Sequence, residues 1–151
     1  MITELTRMWL TRSTRPFLFK NEYDQELPFS DCDGLGLYVH IPFCRSICSF
    51  CPYCKILYSE ETCSRYIDAL IREIHLTGSQ APGKKTVTSL YFGGGTPALA
   101  ADRIKEIIGA IQDHFTITQG IGIELHPENV TPRTLHILKE AGVTKLSIGI
   151  Q

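Results

Sequence analysis

Ile121-Gly122-Ile123-Glu124-Leu125-His126 alternates apolar residues with small or polar ones. Successive side chains on a strand point to opposite faces, so Ile121, Ile123 and Leu125 share one face and Gly122, Glu124 and His126 the other. Lys145-Leu146-Ser147-Ile148-Gly149-Ile150-Gln151 repeats the pattern, with Leu146, Ile148 and Ile150 opposing Ser147, Gly149 and Gln151. Near the start, Leu37, Val39 and Ile41 oppose Tyr38 and His40. A parallel sheet buried on both faces reads as near-continuous apolar runs. These strands instead predict one face packed under helices and one small or polar face turned to a cavity. That division suits a barrel with a functional interior.

Between the strands lie helical stripes. Ser59 is an N-cap residue, and Cys63, Tyr66, Ile67, Leu70, Ile71 and Ile74 fall on one helical face. A second strand over 87–92 runs into Gly93-Gly94-Gly95-Thr96-Pro97. Ile104, Ile107, Ile108, Ile111 and Phe115 mark a second helix. Thr131 as N-cap with Pro132 at the first helical position opens a third, which carries Leu135 and Leu138 and closes at Gly142. The order β-α-β-α-β-α-β predicts a parallel sheet with right-handed crossovers. The expected fold is α/β, a partial parallel (β/α) barrel. Residues 1–34 read as an irregular N-terminal extension and residues 35–151 as the N-terminal part of the barrel domain. No capping segment follows Gln151, so the barrel is expected to be truncated after its fourth strand, with an open edge. A chain so truncated is expected to show no turnover by itself.

The composition narrows the function classes. A formal net charge of −1 gives no footprint for nucleic acid or an anionic membrane surface. No apolar run approaches the roughly 20 residues of a membrane span. The first nineteen residues interleave charges with single hydrophobes, unlike a signal peptide. The default expectation is cytoplasmic, where thiols stay reduced and clustered cysteines serve as metal ligands or catalytic groups rather than disulfides. Cys32 and Cys63 stand apart and read as small buried or half-buried hydrophobes.

The other four cysteines are close together, in Cys44-Arg45-Ser46-Ile47-Cys48-Ser49-Phe50-Cys51-Pro52-Tyr53-Cys54. The C-x3-C-x2-C spacing of Cys44, Cys48 and Cys51 supplies three thiolates that can wrap one [4Fe–4S] cubane. Full cysteine ligation of such a cluster takes four, so three leave one iron open to bind a substrate. Cys54 extends this to C-x2-C-x2-C, which also admits a zinc site or a ferredoxin-type cluster. A structural zinc site calls for a second pair of ligands well downstream, and the chain has none. A bacterial ferredoxin run places its three-residue gap last and follows it with proline, which does not hold here either. Cys54 reads as a thiol at the loop exit rather than a ligand.

Residues 38–51 resemble the radical SAM motif, and Tyr38-Val39-His40-Ile41-Pro42-Phe43 resembles the oxygen-independent coproporphyrinogen III oxidase family in particular. The resemblance resumes at Tyr91-Phe92-Gly93-Gly94-Gly95-Thr96-Pro97, at Ile123-Glu124-Leu125-His126-Pro127-Glu128 and over residues 141–151. It thus covers 35–151 in order, and the first 34 residues take no part. It implies a [4Fe–4S] cluster on Cys44, Cys48 and Cys51, with the open iron taking the amino and carboxylate groups of S-adenosylmethionine. Reductive cleavage of the sulfonium would then give methionine and a 5′-deoxyadenosyl radical.

The same resemblance implies the cofactor contacts. Gly94, Gly95 and Thr96 stand where the family holds the methionine end, at the strand end where barrel enzymes place their sites. Glycines there let backbone approach the ligand and expose its N–H groups. Phe50 matches the aromatic that meets the adenine, and Tyr38 the tyrosine beside the cluster-bound cofactor. Glu124 is expected to face cofactor hydroxyls, the plainer alternative being a salt bridge to a basic neighbour. Gln151 matches a further contact. His40 is expected behind the ligands or in packing. His75, His114 and His136 read as ordinary helix-surface histidines. The implied reaction is oxidative decarboxylation of porphyrinogen propionates, with a tetrapyrrole as substrate and flavodoxin or ferredoxin as electron donor. A haem chaperone or a radical methyltransferase of the same family are the alternatives. A non-catalytic electron-transfer or zinc module is the outsider.

Overall fold

The computed structural model describes residue 29, residues 32–49 and residues 51–150. Most of the predicted extension over 1–34, together with Phe50 and Gln151, therefore lies outside the described residues. The element order is β1 (Leu35–Ile41), β2 (Phe43–Cys44), β3 (Ile56–Leu57), α1 (Glu60–Gly78), β4 (Lys85–Gly94), α2 (Ala101–His114), β5 (Phe115–Ile117), β6 (Ile121–Leu125), α3 (Pro132–Glu140) and β7 (Val143–Ile148). Short 3-10 turns at Pro97–Ala100 and Pro127–Asn129 follow β4 and β6.

The main sheet runs β1-β4-β6-β7, with β5 also paired to β4, and every pairing is parallel. Tyr38 stands opposite Tyr91, which stands opposite Gly122. Glu124 stands opposite Ser147. This is the open, partial (β/α) arrangement that the alternating strands predict.

The faces divide as read from the sequence. Val39, Ile41, Val87, Leu90, Phe92, Ile121, Ile123 and Leu125 are buried in one core with Ile67, Ile104, Ile107 and Ile111 from the helices. Each such aliphatic chain taken fully out of water contributes about 1.5–3 kcal/mol before cavity effects. The helix ends form as their capping residues dictate. The Ser59 side chain accepts from the Thr62 N–H at the start of α1, and that of Thr131 accepts from the Thr134 N–H at the start of α3. Gly142, at φ 91°, takes the left-handed conformation that ends α3.

Two details depart from expectation. Phe115 does not continue the α2 stripe. It caps the helix in an extended conformation and opens β5, in a Phe-Thr-Ile-Thr run whose β-branched and aromatic residues favour a strand. Its ring still reaches the core. On β7 the expected apolar face is uncovered, with Leu146 46% and Ile148 45% exposed, because α3 is short and buries only Leu138. Among the described residues no helix is long and apolar enough to cross a membrane.

Candidate active site at the carboxyl ends of the strands

The cysteine segment leaves β1 at Pro42 and returns at residue 56, where a two-residue parallel ladder joins β2 to β3. Ile56 N–H donates to the Pro42 carbonyl at 2.8 Å and Tyr58 N–H to that of Cys44 at 2.9 Å. This pairing closes the loop at its base. Within it, Cys51 N–H donates to the Cys48 carbonyl at 3.3 Å. The Lys55 ammonium donates to the same carbonyl at 2.8 Å and also to that of Cys51.

The glycine segment after β4 packs against the start of this loop. Gly95 N–H donates to the Ile41 carbonyl at 2.8 Å, and Thr96 N–H to that of Phe43 at 2.7 Å. A Cβ on Gly95 would lie 2.5 Å from the Phe43 oxygen and 2.8 Å from Cys44 Sγ, so only glycine admits this approach. Gly94 adopts φ +120°, a conformation open to glycine. Its N–H donates to Glu124 Oε2 at 3.2 Å. The three amides expected to be displayed to a ligand are thus engaged within the protein, since each meets a carbonyl or carboxylate acceptor on a neighbouring segment. What the motif offers the cavity is a wall without side chains.

A cavity of about 260 Å³ opens above these strand ends. Cys44, Cys48 and Cys51 line one side, with Gly94, Gly95 and Thr96 beside them. Glu124 also lines it, with Ser147 and Gly149 of the β7 end. Cys54 is exposed and does not line it. The three thiols share the cavity without being drawn into ligating spacing among the described residues. Burial pushes the Cys44 thiol above its ordinary value; the adjacent Thr96 hydroxyl opposes this, the Cys51 and Cys48 sulfurs add to it, and the Lys55 charge counters it.

Glu124 is neither bare nor salt-bridged. Tyr91 OH donates to Oε1 at 3.3 Å while Gly94 N–H holds Oε2, and among the described residues no lysine or arginine pairs with it. Tyr91 opens the Tyr91–Pro97 stretch of the resemblance but has no site role in the sequence analysis; the available signal is its place on the small, polar face of β4, two residues before Gly93. Its ring fills the space over Gly122, where a Cβ would come within 2.6 Å. Tyr38 stacks on Tyr91 with ring centroids 6.5 Å apart and meets His40 Nδ1 through its hydroxyl at 3.2 Å. It is 60% exposed and flanks the cavity rather than lining it. His40 Nε2 in turn contacts the Cys54 carbonyl at 3.2 Å, and Tyr66 OH donates to the His40 carbonyl at 2.6 Å. His40 thus supports the cysteine loop from behind. Cys63 is buried as read, and Cys32 is half-buried. His75 and His114 are not independent surface residues, because His75 Nδ1 and His114 Nε2 stand 2.9 Å apart and tie α1 to α2.

The family profile of the radical SAM superfamily matches residues 38–151. The chain belongs to the radical SAM superfamily. Within it, the chain is 33% identical over 123 residues to the oxygen-independent coproporphyrinogen III oxidase of Pseudomonas aeruginosa, covering 78% of this chain and 27% of that protein. It is 32% identical over 118 residues to the heme chaperone HemW of Bacillus subtilis, covering 76% of this chain and 31% of the relative. Among solved structures, the coproporphyrinogen III oxidase of Escherichia coli, described as a radical SAM enzyme, superposes with a TM-score of 0.72 at 33% identity. That match covers 79% of this chain and 28% of the other. The radical SAM chain described here therefore spans under a third of the length of these relatives.

Proposed function

We propose that this chain carries the cluster-binding and S-adenosylmethionine-binding part of a radical SAM enzyme acting on a tetrapyrrole. The observation that carries the reading is the one cavity lined by Cys44, Cys48, Cys51, Gly94, Gly95, Thr96 and Glu124 while Cys54 stays outside. The donor set fits a [4Fe–4S] cluster with one open iron: three thiols, soft ligands suited to iron–sulfur chemistry, and no fourth in the cavity. A cluster held by Cys44, Cys48 and Cys51 would supply the electron for reductive cleavage of S-adenosylmethionine.

The residues of the chain do the rest. The side-chain-free wall at Gly94 and Gly95 lets the methionine end approach the cysteine loop, with the Thr96 hydroxyl beside Cys44. The Glu124 carboxylate, held at both oxygens, accepts hydrogen bonds from cofactor hydroxyls. Tyr38, Phe50 and Gln151 complete the cofactor contacts. The reaction class is oxidative decarboxylation of porphyrinogen propionates, as the resemblance to the oxygen-independent coproporphyrinogen III oxidase family implies, with a flavodoxin or ferredoxin as donor in the cytoplasm. A haem-chaperone role is the second reading, because the Bacillus chaperone is similar to nearly the same degree.

The test is anaerobic iron–sulfide reconstitution followed by EPR of the reduced protein with and without S-adenosylmethionine. A [4Fe–4S] signal that shifts on adding the cofactor is the expected result. A cluster whose spectrum ignores the cofactor would overturn the proposed open iron. Optical titration with haem then separates the two readings, since retention of a Soret band through gel filtration favours the chaperone.

A further inference from the structure

Lys55 reaches back into the cysteine loop from its exit. It follows Cys54 and directly precedes β3, and the β2–β3 ladder fixes its backbone. Its half-buried ammonium donates to the carbonyls of both Cys48 and Cys51. These are two of the three residues assigned here to the cluster, so one cation bridges the backbone at two ligand positions. Charge-assisted hydrogen bonds of this kind are roughly twice as strong as neutral ones. A surface lysine free to extend into water would give up conformational entropy to hold this pose, so the two carbonyls are what keep it there.

Resting on the function proposed above, we infer that Lys55 is a positioning residue of the cluster site: it ties the loop at Cys48 and Cys51 and holds a fixed positive charge against the bound cluster, easing its one-electron reduction. The physical reason is charge balance. Three thiolates already make the assembly anionic, and the electron delivered by an external low-potential reductant adds another negative charge. Net charge and hydrogen bonding around a cluster are among the levers that set its potential. A cation fixed on the ligand backbone stabilises the reduced form more than the oxidised one.

The test uses the 151-residue chain reconstituted anaerobically as wild type, Lys55→Met and Lys55→Arg, with iron per chain measured alongside an EPR-monitored redox titration against dithionite. Lys55→Met keeps the length of the side chain and removes the charge. The expected result is a roughly tenfold lower ratio of reduced to oxidised cluster at a fixed poise, which for one electron is about 59 mV. Lys55→Arg keeps the charge and is expected to titrate close to the wild type. A Lys55→Met protein with wild-type iron content and wild-type potential overturns the inference, as does an equal shift in both variants. If Lys55→Met folds by circular dichroism but takes up no iron, iron uptake by Lys55→Arg supports the charged tie and its failure there overturns it. A wild-type chain that binds no cluster would overturn the proposed function itself, whereas a wild-type cluster indifferent to Lys55 overturns only this inference.

Discussion

Tyr91 and Glu124 stand on adjacent strands, and the phenol donates to Glu124 Oε1 at 3.3 Å over the bare backbone of Gly122. With Gly94 N–H on the other oxygen, the carboxylate is aimed by two neutral donors and keeps its charge uncompensated by any cation among the described residues. A carboxylate so held is rigid and still has lone pairs free for a ligand.

Tyr91→Phe removes one of the two donors and leaves the ring in place. A hydrogen bond of this kind contributes about 0.5–1.5 kcal/mol, so the melting temperature should fall by about 3 °C in a domain of this size. The affinity for S-adenosylmethionine, measured by equilibrium binding to the reconstituted protein, should weaken several-fold while iron content stays constant.

Gly95→Ala places a methyl group 2.5 Å from the Phe43 oxygen and 2.8 Å from Cys44 Sγ. The glycine segment and the cysteine loop must then part, at a cost of about 1–3 kcal/mol. Iron uptake should drop by more than half. Gly36→Ala is the control, because a Cβ there meets nothing within 4 Å, and its iron content should match the wild type.

Cys54→Ala should leave iron and sulfide stoichiometry unchanged, since the Cys54 thiol is exposed and its contact with His40 runs through the backbone carbonyl. Cys44→Ala, Cys48→Ala and Cys51→Ala should each abolish the [4Fe–4S] signal. Loss of the signal in Cys54→Ala would place a fourth thiolate on the metal.

Arg103 on α2 pairs with Asp68 on α1 at 2.8 Å and with Glu106 one turn along its own helix. Hydrogen bonding from the guanidinium holds the Glu106 carboxyl below its ordinary value. Because the folded value is the lower one, the stabilisation is complete above the unfolded carboxylate range of about 4.3 and disappears as pH falls through the folded value. The difference in melting temperature between the wild type and Arg103→Met should be largest near neutral pH and close in acid. The pair is half-exposed, so the gap corresponds to less than about 1 kcal/mol.

Much of this molecule is legible in its sequence because the signals are local. The alternation at residues 121–126 places Ile123 in the core and Glu124 toward the cavity, and Ser59 and Thr131 begin their helices where their side chains cap them. The cysteine spacing brings Cys44, Cys48 and Cys51 to one cavity with Gly94 and Gly95. What escaped the reading depends on pairing between distant segments. The β2–β3 ladder is too short to leave a period, and Lys55 looks like any charged residue until residue 56 is brought beside Pro42. Tyr91 reveals its contact with Glu124 only when β4 and β6 are in register. The engagement of the Gly94, Gly95 and Thr96 amides likewise depends on which loop lies beneath them.

The short ladder between β2 and β3 has a kinetic meaning for metal capture. Thiols on a free chain must find one another around each incoming iron, and loop closure opposes every encounter. Here the carbonyls of Pro42 and Cys44 accept from the N–H groups of residues 56 and 58 and close the loop at its base, which tethers the three sulfurs at the high effective concentration of a ring. Assembly at this site should proceed more like chelation by a macrocycle than by three separate ligands, with the first captured iron recruiting the remaining thiols within the same loop.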